Sequence, residues 1–287
     1  MWNTALTSWW PRDWRRVADI PDDLWAQETH QLPFLQALPA AAWPRLRQLC
    51  AHFLAEKEFH GAQGLRITDA MALTVAIQAC LPLLGLQPLQ RSPLPALDWY
   101  SDFVTVVMHP DAALARRQRV DEAGVHHAYN EPLAGEAMAG GPVMLNWRDV
   151  QQAAHGMAQG HNLVIHEFAH KLDMRHLAPA EEPQGHPPLP SGFLGMDPMA
   201  ARTHWAHTMA NAYRDFCEAV SAHQRFAEPA PWLDSYAASA PAEFFAVSCE
   251  AYMVQRQRFG QEFPELLALY DGFFDRFGWI NAARAAA

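Results

Sequence analysis

The stretch NLVIHEFAHKLDM, residues 162–174, decides how this chain is read. Its apolar residues Leu163, Ile165, Ala169 and Leu172 recur at helical spacing, so the segment Asn162 to Met174 is expected to be an amphipathic helix. Within it, His166-Glu167-Phe168-Ala169-His170 is an H-E-x-x-H pentapeptide. Helical positions four apart share a face, so two imidazoles can address one ion, with Glu167 beside them to reach a metal-bound water. A helix carrying two surface histidines and an unrelated glutamate is the plain alternative. The helix follows a strand and contains no breaker, as the metal geometry requires.

A catalytic zinc takes a third protein ligand and keeps one position open. Two residues are open for that role. His176 gives H-E-x-x-H-x-x-D-x-x-H, the metzincin spacing with Asp173 in place of the glycine. Glu243, in the stretch SAPAEFFAV from Ser239, opens a second helix and could bring a distant carboxylate to the ion.

Upstream, a Gly-rich break at Gly156 and Gly160 separates this helix from a polar one starting at Asp149. Phe103 to Met108 and Gly141 to Trp147 read as short strands, the first closed by Pro110 and the second opened by Gly-Pro. Gly141 to Trp147 is placed to be an edge that pairs with an extended peptide, or an ordinary internal strand. Ala40 to Leu86 has helical periodicity, with Thr68-Asp69 as a cap before Met71. Ala70 to Leu86 is the most apolar run, but it is too short for the roughly 20 residues of a membrane span and reads as a core helix.

Downstream, Leu177 to Pro190 has five prolines and no apolar period, so an exposed loop or insertion is expected. His204 to Val220 and Ala242 to Gln257 read as helices, Pro241 suiting the first turn of the second. His204 with His207, and His126-His127, lack a carboxylate or cysteine partner nearby and read as surface or packed histidines. The tail AARAAA is expected to fray. Helices followed by a strand region suggest an α+β fold, mostly helical, with an N-terminal helical part at 1–96 and a catalytic part at 97–287 forming one compact unit.

The 287 residues are 50% hydrophobic and 18% charged, which excludes a globally disordered chain. A net charge of −10 repels phosphate backbones, so direct nucleic-acid binding is not expected. Cys50, Cys80, Cys217 and Cys249 lie far apart, giving neither a zinc ribbon nor a dense disulfide framework. They read as reduced thiols, and the expected location is the cytoplasm. Met1 to Arg16 carries Trp2, Trp9, Trp10 and Trp14 with arginines after them, the reverse of an export signal, and reads as an arm docked by its tryptophans, with contact to a membrane surface as the alternative.

The 162–174 stretch, with DSYAASAPAEFFAVSCE at 234–250, resembles the Mlc titration factor A family of zinc peptidases, peptidase family M90. FLAEKEFHGAQGL near Phe53, CLPLLGL near Cys80 and GPVMLNW near Gly141 also resemble family segments, so the likeness covers most of residues 40–280. The catalytic part of that family is in turn similar to the peptidase domain of anthrax lethal factor. The resemblance implies a zincin-like, gluzincin-type catalytic part with one Zn2+ per chain. It makes His166, His170 and Glu243 the metal ligands, Glu167 the general base and Tyr236 a catalytic residue facing the site. The family keeps no histidine at the position of His176.

Gluzincins often have an acidic residue four positions after the ligand Glu, where this chain has Val247. Asp173 and Glu250 are therefore the candidates to orient an imidazole, each equally readable as a surface or salt-bridge charge. The family further implies aminopeptidase activity on a peptide substrate. A different class of function, sequestering a transcriptional repressor of the Mlc type, is implied by the family name.

Overall fold

The computed structural model describes residues 17, 19–86, 96–111, 113–120, 126–133, 135–137, 140–153, 160–175, 177, 182–276, 278 and 280. The expectations for the tryptophan-bearing start, for His176, for the side chains of His126 and His127, and for the tail lie outside the described residues. The fold is mostly helical α+β, as the sequence suggests. The chain runs α1 (Asp22–His30), α2 (Ala42–Glu56), β1 (Glu58–Gly61), α3 (Asp69–Cys80), β2 (Thr105–His109), β3 (Ala113–Val120), β4 (His126–Leu133), β5 (Gly135–Ala137) and β6 (Val143–Asn146). There follow α4 (Trp147–Ala153), α5 (Leu163–Asp173), α6 (Pro198–Phe226), α7 (Pro241–Val254), α8 (Arg256–Glu262) and α9 (Pro264–Phe274).

Helix α3 starts where Thr68 accepts a hydrogen bond from the Met71 N–H, and Met71 to Cys80 are all buried. A helix buried on every side belongs inside a fold. It packs against α1, α2 and α5, tying the first third of the chain to the H-E-x-x-H helix. Among the described residues no helix is long and apolar enough to cross a membrane.

The sheet has the order β1-β2-β6-β5, with β1, β2 and β6 parallel and β5 antiparallel at the edge. Of the two readings of Gly141 to Trp147, the internal strand holds. Val143 and Leu145 are buried, and β6 is hydrogen-bonded on both sides, leaving no free backbone for an added strand. Strand β1 interrupts the stretch from Ala40 that reads as helical. β3 and β4 form a separate antiparallel pair.

Helix α5 begins where the Asn162 side chain accepts from the Ile165 N–H at 2.9 Å, a cap worth about 1 kcal/mol. Its inner face holds Val164, Ile165, Phe168 and Leu172, all fully buried. Phe168 meets Phe53, Tyr100 and Phe103 with ring centroids 5.7, 5.0 and 5.9 Å away. These contacts clamp α5 to α2 and to the turn before β2, and burial of one such ring contributes roughly 2 to 3 kcal/mol. On the other side α5 packs on α7. Gly160 makes the turn into α5 with φ +75°, a left-handed backbone conformation that favours glycine.

The described part of the Pro-rich loop, 182–190, has no regular structure but is not simply exposed. Gly185 and Pro187 are buried, and the Trp205 indole N–H donates to the Gly185 carbonyl at 2.8 Å.

Candidate metal centre

Helix α7 has Pro241 at its first position, where a missing N–H costs nothing, and is buried almost throughout. Two of its residues are acidic, Glu243 and Glu250, seven apart and so on one face, turned toward α5. The crossing of these helices brings three side chains together. His166 Nε2 lies 3.1 Å from Glu243 Oε2 and 3.2 Å from His170 Nε2, and His170 Nε2 lies 3.3 Å from the same Glu243 oxygen. Among the described residues this is the group of three or more potential ligands close enough to share an ion.

The triangle can be tested against a metal. Ligands at the usual zinc distances, tetrahedrally arranged, stand about 3.3 Å apart. The observed edges fit, and two imidazoles with one carboxylate is a donor set suited to zinc.

Electrostatics around the triangle are strongly coupled. Burial opposes a charge on His166, yet its contacts with Glu243 and Glu250 outweigh this and hold its pKa well above the ordinary value. Burial likewise works against ionisation of Glu243, but His166 and His170 pull its pKa far below the carboxylate range. Glu167, 4% exposed, follows His166 on α5. Burial pushes its pKa up to about 7, against the pull of His166 and His170 and with help from Glu243 and Glu250.

The two acidic candidates for imidazole partner, Glu250 and Asp173, bind different groups. Glu250 Oε1 is 2.7 Å from His166 Nδ1, and its other oxygen accepts from the Asn162 backbone N–H. Asp173 binds backbone instead. Its carboxylate accepts from the Gly185 and His186 N–H groups at 2.7 and 2.6 Å, which is what draws the Pro-rich loop inward.

Tyr236 sits in a short 3₁₀ turn, Ser235–Ala238, whose first N–H groups are met by Asp234, the bond to the Tyr236 N–H being 2.9 Å. Its ring is half exposed, with its centroid 6.3 Å from that of His166. Asp234 belongs to no metal motif, and its only mark in the sequence is the turn signal of an aspartate two residues before the tyrosine.

The family model described as "Glucose-regulated metallo-peptidase M90" matches residues 7–275. A protein called Mlc titration factor A from Salmonella arizonae is 30% identical over 265 residues, covering 92% of this chain and 95% of the relative. A protein of the same name from Enterobacter sp. strain 638 is 30% identical over 269 residues, covering 93% and 91%. Another, from Salmonella gallinarum, is 30% identical with 92% and 90% covered.

Proposed function

Because this chain belongs to the M90 family of metallopeptidases, we propose that it is a zinc peptidase in which His166, His170 and Glu243 hold the metal and Glu167 is the general base. The observation that carries this reading is the triangle of ligand atoms with edges of 3.1 to 3.3 Å. When bound, zinc would supply Lewis acidity, polarising the scissile carbonyl and lowering the pKa of water.

Glu167 accepts the proton of the attacking water at its carboxylate and returns it to the leaving amine. Glu250 accepts the Nδ1–H of His166, which fixes the tautomer and leaves the Nε2 lone pair aimed at the triangle. The Tyr236 hydroxyl donates to the oxyanion that develops on the substrate carbonyl. The peptide lies along the outer edge of β5, which is antiparallel to the sheet and packs beside α5. Short peptides with a free amino terminus are the preferred substrates, following the resemblance.

The name of the relatives favours a second reading, in which this chain also binds a transcriptional repressor of the Mlc type. Its internal location would then be the cytoplasm.

The test is a screen of amino-blocked and unblocked peptides with wild type and Glu167→Gln, alongside metal analysis of both proteins. Cleavage of unblocked peptides by the metal-containing wild type alone is the expected result. Equal turnover by Glu167→Gln would reject the base, and wild type that takes up no zinc would reject the centre.

A further inference from the structure

Helix α3 contains one residue out of keeping with its surroundings. Gln78, fully buried, stands among Val75, Ala76, Ile77, Ala79 and Cys80. A buried amide is tolerated where its hydrogen bonds are met, so its partners show what it is for. The Gln78 Nε2 group donates to the Thr74 carbonyl one turn back at 3.0 Å, which turns Oε1 outward from the helix. That oxygen accepts from Asn162 Nδ2 at 2.7 Å. The Asn162 amide is oriented in the same way, because its Oδ1 must face the Ile165 N–H. Both amides are thus fixed by backbone groups, and they meet donor to acceptor.

From Asn162 the contacts continue to the metal centre. Its backbone N–H donates to Glu250, and Glu250 Oε1 holds His166 Nδ1 at 2.7 Å. In the other direction the Thr74 hydroxyl lies 2.5 Å from Glu28 Oε2 on α1. Glu28, Thr74, Gln78, Asn162 and Glu250 are all buried, so water does not compete along this path.

We propose that Gln78 is a positioning residue for the metal centre, acting through Asn162 and Glu250 on the aim of the His166 imidazole. This rests on the reading of His166 as a zinc ligand. Gln78 holds the Asn162 amide, Asn162 sets where α5 begins and offers its N–H to Glu250, and Glu250 holds the tautomer of His166. Supporting contacts of this kind change metal affinity without touching the metal. The N-terminal helices are by this route part of the metal centre rather than a separate packing layer.

The experiment measures zinc affinity by competition with a chromogenic chelator, and the visible absorption of the Co2+-loaded protein, for wild type and three single variants. Gln78→Met keeps the volume and removes both amide bonds. Asn162→Ser keeps a capping oxygen for α5 but no longer reaches Gln78, and serves if Gln78→Met does not fold. Tyr100→Phe is the control, because it removes a buried hydrogen bond to Ala79 on the same helix, off this path.

We expect zinc binding about tenfold weaker and altered cobalt bands in each of the first two. The double variant should bind as weakly as either single one, since both break the same link. Tyr100→Phe should melt earlier with unchanged affinity and spectrum. Zinc affinity within twofold of wild type in both Gln78→Met and Asn162→Ser, or losses that add in the double variant, would overturn the proposal. A wild type that binds no zinc would instead overturn the metal reading beneath it.

Discussion

Glu243 and Glu250 stand two turns apart on one helix and meet opposite nitrogens of the same imidazole, Glu243 at Nε2 and Glu250 at Nδ1 of His166. Only one of them can share an ion with that ring. In the proposed centre the other sets the tautomer, and its charge raises the basicity of the nitrogen that would hold the ion. Glu250→Gln keeps an acceptor for the Nδ1–H but removes the charge. Its zinc affinity should fall by roughly 10-fold or more, measured by chelator competition, while the far-ultraviolet circular dichroism stays that of wild type.

Removing Glu243 itself has a different signature. With two imidazoles left, Glu243→Ala should retain little zinc after dialysis by elemental analysis. His176→Ala should retain close to one per chain. Loss of metal from the His176 variant and retention in the other would assign the third ligand to His176.

Glu167 is 4% exposed and acts on protons rather than on the metal in the proposed mechanism. Glu167→Gln should therefore keep its zinc and lose about 10² to 10⁴ of its peptide turnover, the usual contribution of a positioned base. Metal loss equal to the activity loss would make Glu167 a structural part of the centre instead.

The H-E-x-x-H helix was legible because both its signals are local: the apolar period sets the helix, and a spacing of four puts His166 and His170 on one face. Glu243 could be named from the sequence only as one of two candidates, and preferring it to His176 came through resemblance, since no rule of spacing along α5 says which carboxylate a second helix brings. The choice between Asp173 and Glu250 was hidden for the same reason. Both are acids on helices, and only the crossing of α5 and α7 decides which one meets His166. β1 escaped because its four residues, Glu58 to Gly61, are largely exposed and carry no alternation for a period to reveal. The Pro-rich loop looked solvated by composition, but the Asp173 carboxylate binds its backbone, and composition does not report such a contact.

That contact gives a prediction about the loop. Asn at 173 would offer one acceptor oxygen and an amide group facing the Gly185 and His186 donors. Leaving a buried donor unmet costs about 1 to 3 kcal/mol. Asp173→Asn should lower the melting temperature, and limited proteolysis should cut within 182–190 faster than in wild type. Unchanged melting and cleavage would show that the loop is held without Asp173.

Lys57 offers a test by pH. Its ammonium is buried, donating to the carbonyls of Tyr100 and Phe103 at 2.5 and 2.8 Å and lying 4.3 Å from the centre of the Phe103 ring. Burial lowers its pKa from 10.5 to about 8 despite the nearby acids Glu56 and Asp102. Below pH 8 the lysine is charged in both folded and unfolded chains, and the folded state bears the full desolvation cost. Between pH 8 and 10.5 the unfolded chain holds a proton that the folded one has released, so stability rises with pH across that window. Above it both are neutral and the cost is gone. Lys57→Met lacks this titration whatever its own stability. The unfolding free energy of wild type minus that of Lys57→Met should therefore climb by about 3 kcal/mol from pH 8 to 10.5, measured by urea denaturation. A difference that stays flat across the window would mean that the buried ammonium keeps an ordinary pKa.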